Sequence, residues 1–285
     1  SADNTAVAGY KVYRDDARIG FSSTSSFVDA QVEAGKSYLY EVSAYDTAGN
    51  ESLRSAPLVV VVSTPNTESD LLGHWKFDES AGNVAIDASD YAHYGTIFKA
   101  VRVPGKSGRA LDFSGFGNYV QIQSDPILDN LEAVTMTAWI YPRLDAHWHV
   151  LDKGDGDKRL FAEGTRLSID GRVRYSGTHA YSASASGTVM LNTWQHVALV
   201  WSRTTNRTRL YHNGLEARYD IQETGSGAPQ EDGDFPFTIG ARGALGDVTF
   251  FDGLMDEVCL YNRALSAQEI ADICGEVVVP PRPKR

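Results

Sequence analysis

In the stretch LMDEVCLY, Leu254 to Tyr261, two adjacent carboxylates interrupt an apolar run. Asp256 shares its parity with Leu254, Val258 and Leu260, so on a strand it points toward the apolar side or its rim. An ionised carboxylate taken out of water is costly unless it is paired. A cation, an arginine or backbone amides would each satisfy it. The same run holds Cys259, one of two cysteines; the other is Cys274. Two readings stand for them. Either both are reduced and packed in a core, or a disulfide ties the strand to the segment after it. Such a short loop would contribute about 3 kcal/mol in the chain-entropy account. Two cysteines do not fix the redox compartment.

A second concentration of reactive types lies in DAHWHVLDKGD and RVRYSGTHAYS. Recognition of a sugar needs an aromatic face for the apolar side of a pyranose and a few directed polar groups. Trp148 stands in a polar stretch, where an exposed indole is unexpected. His147, His149, Arg174, Tyr175, His179 and Tyr181 are the partners it would use. In the alternative reading Trp148 caps a sandwich edge and the tyrosines pack against a sheet. Arg166, Arg172 and Arg174 form a basic patch, which either meets a sulfated or uronic polysaccharide or is a solvated face. Trp75, Trp139, Trp194 and Trp201 lie in regular strands and read as core.

Catalytic motifs are sparse. G-x-S-x-G, H-E-x-x-H and C-x-x-C are absent. A retaining glycosidase needs two carboxylates about 5 Å apart, which on one strand means alternate positions. Only QEDGD offers that, with Asp232 and Asp234, and it sits in a Gly/Pro-flanked loop. A lyase would use a Tyr/His pair with Arg or Gln, types that the two stretches above contain. DKGDGDKRLFAE resembles half of an EF-hand but lacks the closing acid, and reads as a solvated loop.

The elements that must position these residues are strands. GYKVYRD, SYLYEVSAYD, VTMTAWIY and WQHVALVW alternate apolar and polar residues and end at Gly, Asn, Asp or Pro. Many short strands of this kind predict an all-β sandwich. Asn213-Gly214 in RTRLYHNGLEARYD is the dipeptide of a type I′ hairpin turn. The one helix predicted is LSAQEIADIC, with a Ser266/Glu269 capping box and an Ile270/Ile273 stripe. The polar STPNTESD separates two strand-rich regions. The layout expected is therefore 1–63, a linker at 64–70, a main domain at 71–275 and an extended Pro-rich tail at 276–285. Such a chain reads as a piece of a longer multi-domain protein.

Composition narrows the partners. The 285 residues are 42% hydrophobic and 22% charged, which is globular, and the net charge is -11. So acidic a chain lacks the basic footprint of a nucleic-acid binder. It also argues against a long polyanion, unless a local basic cleft exists. The longest aliphatic run, LVVVV at Leu58–Val62, falls far short of the roughly 20 residues of a membrane span. SADNTAVAGY carries no signal-peptide pattern.

Two stretches carry family resemblances. NTAVAGYKVYRDDARIG and SYLYEVSAYDTAGNESLRSAPLVVVV resemble the later part of a bacterial fibronectin type III module, with Tyr38 at its tyrosine corner. Two strands of that module have no counterpart ahead of GYKVYRD, which would leave a raw edge. LLGHWKFDES, DASDYAHYGT, VPGKSGRALDFSGFGNYVQI, VTMTAWIYP, NTWQHVALVW, RLYHNG, FTIGAR and GLMDEVCLYNRALSAQEI resemble, in family order, the laminin-G-like modules of bacterial secreted proteins. These have a concanavalin A-like jelly roll of two antiparallel sheets.

That resemblance implies a glycan-binding or adhesion module attached to a secreted or cell-surface protein, commonly with structural calcium. Its first and last strands are neighbours, so Asp78, Asp87 and Asp256 would converge. Oxygen donors alone suit calcium, a hard cation that takes six to eight of them. The expectation is a non-catalytic carbohydrate-binding module. A protein-binding adhesion module is the alternative, and a polysaccharide lyase or hydrolase the third reading, since the fold hosts all three.

Overall fold

The alternation read in the sequence becomes antiparallel sheet throughout. The computed structural model describes residues 7–24, 26–27, 29, 31–32, 36–61, 70–154, 158–164, 166–233, 235–242 and 249–275. The chain divides into two units, Ser1–Asn66 and Thr67–Arg285. Most of the expected linker (64–69) and the expected tail (276–285) lie outside the described residues.

The first unit is one four-stranded sheet. Its strands are β1 (Val7–Arg14), β2 (Ala17–Ser22), β3 (Ser37–Asp46) and β4 (Leu58–Val61), in the order β2-β1-β3-β4. Tyr10, Val12, Tyr40, Val42 and Val60 share one face and, with Phe27, line a groove of about 570 Å³. Arg14 crosses the end of that face. It pairs with Asp29 at 2.9 Å and lies 5.0 Å above the Tyr38 ring, while Tyr40 donates its hydroxyl to Asp29.

The second unit is a sandwich. Its early strands are β5 (Leu71–Trp75), β6 (Val84–Ala85), β7 (Gly95–Phe98), β8 (Val101–Pro104), β9 (Arg109–Ser114), β10 (Tyr119–Ile122), β11 (Ala133–Pro142), β12 (Trp148–Lys153) and β13 (Lys158–Ala162). There follow β14 (Asp170–Val173), β15 (Ala180–Ser184), β16 (Gln195–Ser202), β17 (Arg207–His212), β18 (Leu215–Glu216), β19 (Tyr219–Glu223), β20 (Phe237–Ile239) and β21 (Asp252–Tyr261). A nine-stranded sheet runs β19-β15-β14-β13-β12-β20-β10-β7-β6, and an eight-stranded sheet centres on β16, β11 and β21.

The inner faces of these sheets make the core. Trp75, Phe113, Trp201, Phe237 and Phe251 are all at most 1% exposed, and Trp75 stacks on Phe237 at 5.7 Å. Burying each such ring contributes about 2–3 kcal/mol. Trp75 and Trp201 are core as predicted, whereas Trp139 and Trp194 are half-buried.

A second cluster lies against the eight-stranded sheet: Ala198, Val200, Tyr211, Cys259, Tyr261, Leu265 and Ile270. It is closed by the helix α1 (Ala267–Cys274), which has the expected capping box at Ser266 and Glu269 and ends at Gly275. The Asn213-Gly214 turn has positive φ at both residues, 49° and 79°, as type I′ demands. A Cβ on Gly214 would stand 3.2 Å from the Ala271 backbone, so the helix rests directly on this turn.

Both cysteines are buried and neither is in a disulfide, so the disulfide reading is corrected. Cys259 belongs to the cluster under the helix, and Cys274 is the last helical residue.

Candidate functional site

Asp256 lies at a β-bulge. Thr137 pairs with Cys259 but Trp139 pairs with Asp256, so β21 has one residue more than its partner here. Glu257 takes up the extra length with φ 49°. Parity reverses across it. Met255 before the bulge, and Val258 and Leu260 after it, all enter the sandwich core. Asp256 therefore does not face the apolar interior, contrary to the alternation. It lies fully buried beneath the loop at 105–109.

Asp256 accepts backbone amides from Ser107 (2.8 Å) and Glu257 (2.8 Å). Burial, then the Glu257 charge, pushes its carboxyl up to about 6 despite those amides. A Cβ on Gly105 would stand 2.6 Å from Asp256, which is why the loop needs glycine there. Asp78 grips the other end of the same loop through the Arg109 amide at 2.8 Å.

Asp87 does something else. Its two oxygens take the amides of His74, Ser89 and His93 and the Ser89 hydroxyl, all at 2.7–2.8 Å. It organises the turn beside β5. Among the described residues no three His, Cys, Asp or Glu side chains gather as a metal cluster, so the expected convergence of Asp78, Asp87 and Asp256 is corrected. Two of the three, Asp78 and Asp256, clasp one loop.

The sugar-site residues divide by strand parity. Trp148 and Tyr175 point inward. Trp148 is 3% exposed and packs edge-on against Phe251; Tyr175 is 4% exposed, takes the Trp201 indole N–H and donates to Asn206. Both are core, and their proposed ligand role is corrected. His149 and Tyr181 lie on the opposite, outer face of the nine-stranded sheet. Arg174 and Tyr181 are half-buried, and His147 and His179 exposed.

Pairing aligns a polar row across that outer face: Thr96, Gln121, Thr238, Asp152, Arg159, Arg172, Tyr181 and Glu223. His149 is sealed at its centre. Its ring stacks on Phe161 at 5.5 Å, meets Thr249 Oγ1 at 3.0 Å and lies 3.3 Å from Arg159. Burial, then His147 and Arg242, drive its pKa down to about 3. Asp170 accepts from Ser168 (3.0 Å) and Tyr181 (3.1 Å), and burial lifts its pKa to about 6. Arg166 is spent on Asp220 at 2.9 Å.

The loop acid Asp232 is fully buried and pairs with Lys158, itself 2% exposed. Asp234 lies outside the described residues.

An aromatic group went unread in the sequence. Phe98 on β7 and Tyr119 on β10 are cross-strand partners and stack at 4.4 Å on the outer face. Phe250 lies 6.4 Å from Tyr119, and Phe116, 70% exposed, extends the group with Lys99 at its rim. The signal was present: Phe98 and Tyr119 sit at the solvent parity of strands whose inner residues are Ile97 and Val120. The outer face thus carries flat apolar rings at one end and a polar row whose middle members, Thr238, Asp152 and Arg159, are buried.

Comparison with known proteins places this architecture. The chain is 29% identical over 210 residues to exoglucanase B of Cellulomonas fimi, covering 72% of this chain and 18% of that protein. It is 37% identical over 93 residues to chitinase D of Niallia circulans, covering 30% of this chain and 18% of that one. The chain thus spans less than a fifth of these relatives' length. Among solved structures, the binding domain of Paraclostridial Mosquitocidal Protein 1 shares the fold with a TM-score of 0.59 at 13% identity, over 73% of this chain and 52% of that one. Residues 113–271, more than half of the sequence, match a laminin-G family, and the chain belongs to the concanavalin A-like lectin/glucanases superfamily.

Proposed function

We propose that this chain is a non-catalytic carbohydrate-binding module of a larger secreted or cell-surface protein, and that its ligand is a polysaccharide. The observation that carries the reading is the outward Phe98/Tyr119 stack beside a polar row on one sheet face. Rings so placed meet the apolar face of a pyranose, and the half-buried Thr96 and Gln121 beside them supply directed hydrogen bonds. The relatives named as an exoglucanase and a chitinase support it, because this chain is similar to only a part of each. His147, Arg174, His179 and Tyr181 border the other end of the surface. A sealed His149, separated from Tyr181 by the Phe161 ring, gives no support to lyase chemistry.

Residues 1–63 serve as a fibronectin type III spacer in this reading, which their four-stranded sheet with one apolar face supports. Calcium is part of the proposal. Asp256 is a fully buried carboxylate, beside the acidic Glu257, that pairs with no lysine or arginine among the described residues. Asp78 and Asp256, which hold the two ends of the 105–109 loop, would supply with its backbone oxygens the oxygen-only donors that a hard cation takes, and the ion's charge would neutralise the buried acid.

Depletion from solution by insoluble polysaccharides tests the function. Tyr119→Ala should lose retention with an unchanged melting temperature. Retention unaffected by both Tyr119→Ala and Phe98→Ala would move the site off this surface.

A further inference from the structure

Two lysines are buried where loops meet at one end of the sandwich, and they are unequally satisfied. Lys153, 3% exposed, spends all three ammonium N–H groups, on Asp129 Oδ1 (2.6 Å), the Asp232 carbonyl (3.0 Å) and the Phe235 carbonyl (2.6 Å). The Lys158 ammonium also carries three donors. Among the described residues it gives one, to Asp232 Oδ2, and otherwise meets only the Trp201 ring. Buried donors without acceptors are costly. Lys158 lines a cavity of about 260 Å³ between residues 130–132 and 228–231. The walls of that cavity are fixed. Asn130 and Asp232 each donate a backbone N–H to the other's side-chain oxygen, at 2.6 and 3.0 Å. The backbone N–H groups of Ala228 and Gln230 donate to Ser176 Oγ and to the Arg174 carbonyl.

We infer that this cavity is a second sugar site, a seat for one terminal ring of a neutral glycan, in which Lys158 directs its spare N–H groups at ring hydroxyls. The inference rests on the glycan-binding reading of the module and adds to it a site that takes a chain end. Volume sets the size. Sites for drug-sized ligands run from about 300 to 1,000 Å³, so this cavity suits a single ring and not a run of them. Charge sets the class. Lys158 is cancelled by Asp232, and Arg203 by Glu132 at 2.6 Å, which leaves Glu231 as the odd charge of the lining and nothing to draw a polyanion. Hydroxyls donate as well as accept, and the lining answers both, with the Lys158 ammonium and Gln230 amide on one side and the Glu132 and Glu231 carboxylates on the other. Leu131 and Pro229, half-buried in the same lining, give the C–H face of the ring an apolar neighbour. None of these residues belongs to β7 or β10, so the seat is separate from the Phe98/Tyr119 surface.

The test is saturation-transfer NMR of the full chain with cellotriose, triacetylchitotriose and xylotriose, followed by calorimetric titration of each that responds. Saturation concentrated on one end ring is expected. The double variant Lys158→Met/Asp232→Asn removes the donor without stranding a charge and should weaken the affinity about tenfold, the loss of one charge-assisted contact. Gln230→Ala, at an exposed side chain, guards against misfolding of the double variant and should weaken it about fivefold. Tyr119→Ala should lose retention on insoluble polymers and keep the trisaccharide response. An affinity unchanged in either pocket variant, or a response lost in Tyr119→Ala, overturns the seat and leaves the outer-face reading standing. Saturation spread evenly over all three rings overturns end binding. No response to any trisaccharide overturns the seat as well, while retention on insoluble polymers still decides the outer face.

Discussion

Asp232→Asn isolates the energetics of the buried ion pair. Asp232 is fully buried and Lys158 2% exposed, with the Lys158 ammonium 5.9 Å from the Trp201 ring. Neutralising Asp232 keeps an acceptor for the Asn130 amide, which now bonds it at 2.6 Å. It leaves Lys158 charged, out of water and without its carboxylate. Breaking one side of a buried pair costs about 3–5 kcal/mol. In a unit of this size each kcal/mol moves the melting temperature about 2–4 °C, so a fall of roughly 6–20 °C is expected. Lys158→Met with Asp232→Asn removes both charges and should recover all but about 1–2 kcal/mol. Tryptophan fluorescence reads this cleanly, because all five tryptophans, from Trp75 to Trp201, belong to the second unit. A loss below about 1 kcal/mol in Asp232→Asn, or a double variant as unstable as the two singles combined, would refute the reasoning.

Further outcomes are expected. Gly214→Ala should cost about 1–2 kcal/mol in urea unfolding, since φ is 79° and the new methyl meets the Ala271 backbone; a neutral result would mean that the helix does not rest on the turn. His196 is fully buried and burial, then the charge of His212, takes its pKa to about 4. Below pH 6.5 the unfolded chain gains a proton that the native state refuses, so stability falls toward pH 4 by about 1.4 kcal/mol per pH unit for this group. Asp170, raised to about 6, acts in the opposite sense, so the check is a difference: His196→Phe should flatten the pH–stability curve by that slope, and parallel curves would sink it. Calcium should raise the melting temperature, by an amount equivalent to about 2.7 kcal/mol at a hundredfold excess over Kd. EGTA should reverse that rise and Asp256→Asn abolish it, while Asp87→Asn lowers the baseline but keeps the increment. A rise that survives Asp256→Asn would put the ion elsewhere.

Much of the fold was legible because strand alternation and turn chemistry are local. The Asn213-Gly214 hairpin and the Ser266/Glu269 capping box formed as read. The sites were less legible, for two physical reasons. Alternation assumes an unbroken period of two, and Glu257 breaks it, so the facing of Asp256 came out reversed. Alternation also equates polar with exposed. In β12 every residue is buried, one face by the sandwich core and the other where Thr249 meets His149. The stretch from Asp152 reads as a solvated loop, and Trp148 with His149 reads as a ligand platform, yet all three are buried. The outward-facing aromatic pair, Phe98 and Tyr119, is far apart in sequence and meets only through strand pairing.

The bulge in β21 also sets the register. The strand serves two masters: Met255, Val258 and Leu260 belong to the sandwich interior, while Cys259 and Tyr261 belong to the cluster under the helix. Deleting Glu257 would return the strand to an even beat with Met255, Val258 and Leu260 still facing the interior and Cys259 and Tyr261 still facing the helix. Straightening Glu257 into a regular strand position would instead turn Val258 and Leu260 outward and Cys259 and Tyr261 inward, forcing a phenol into the hydrocarbon interior. One residue in a left-handed conformation thus acts as a phase lock, tying the closing strand to a single alignment. A one-residue insertion or deletion elsewhere in β21 should therefore be rejected, whereas deletion of Glu257 should leave both clusters facing as they do.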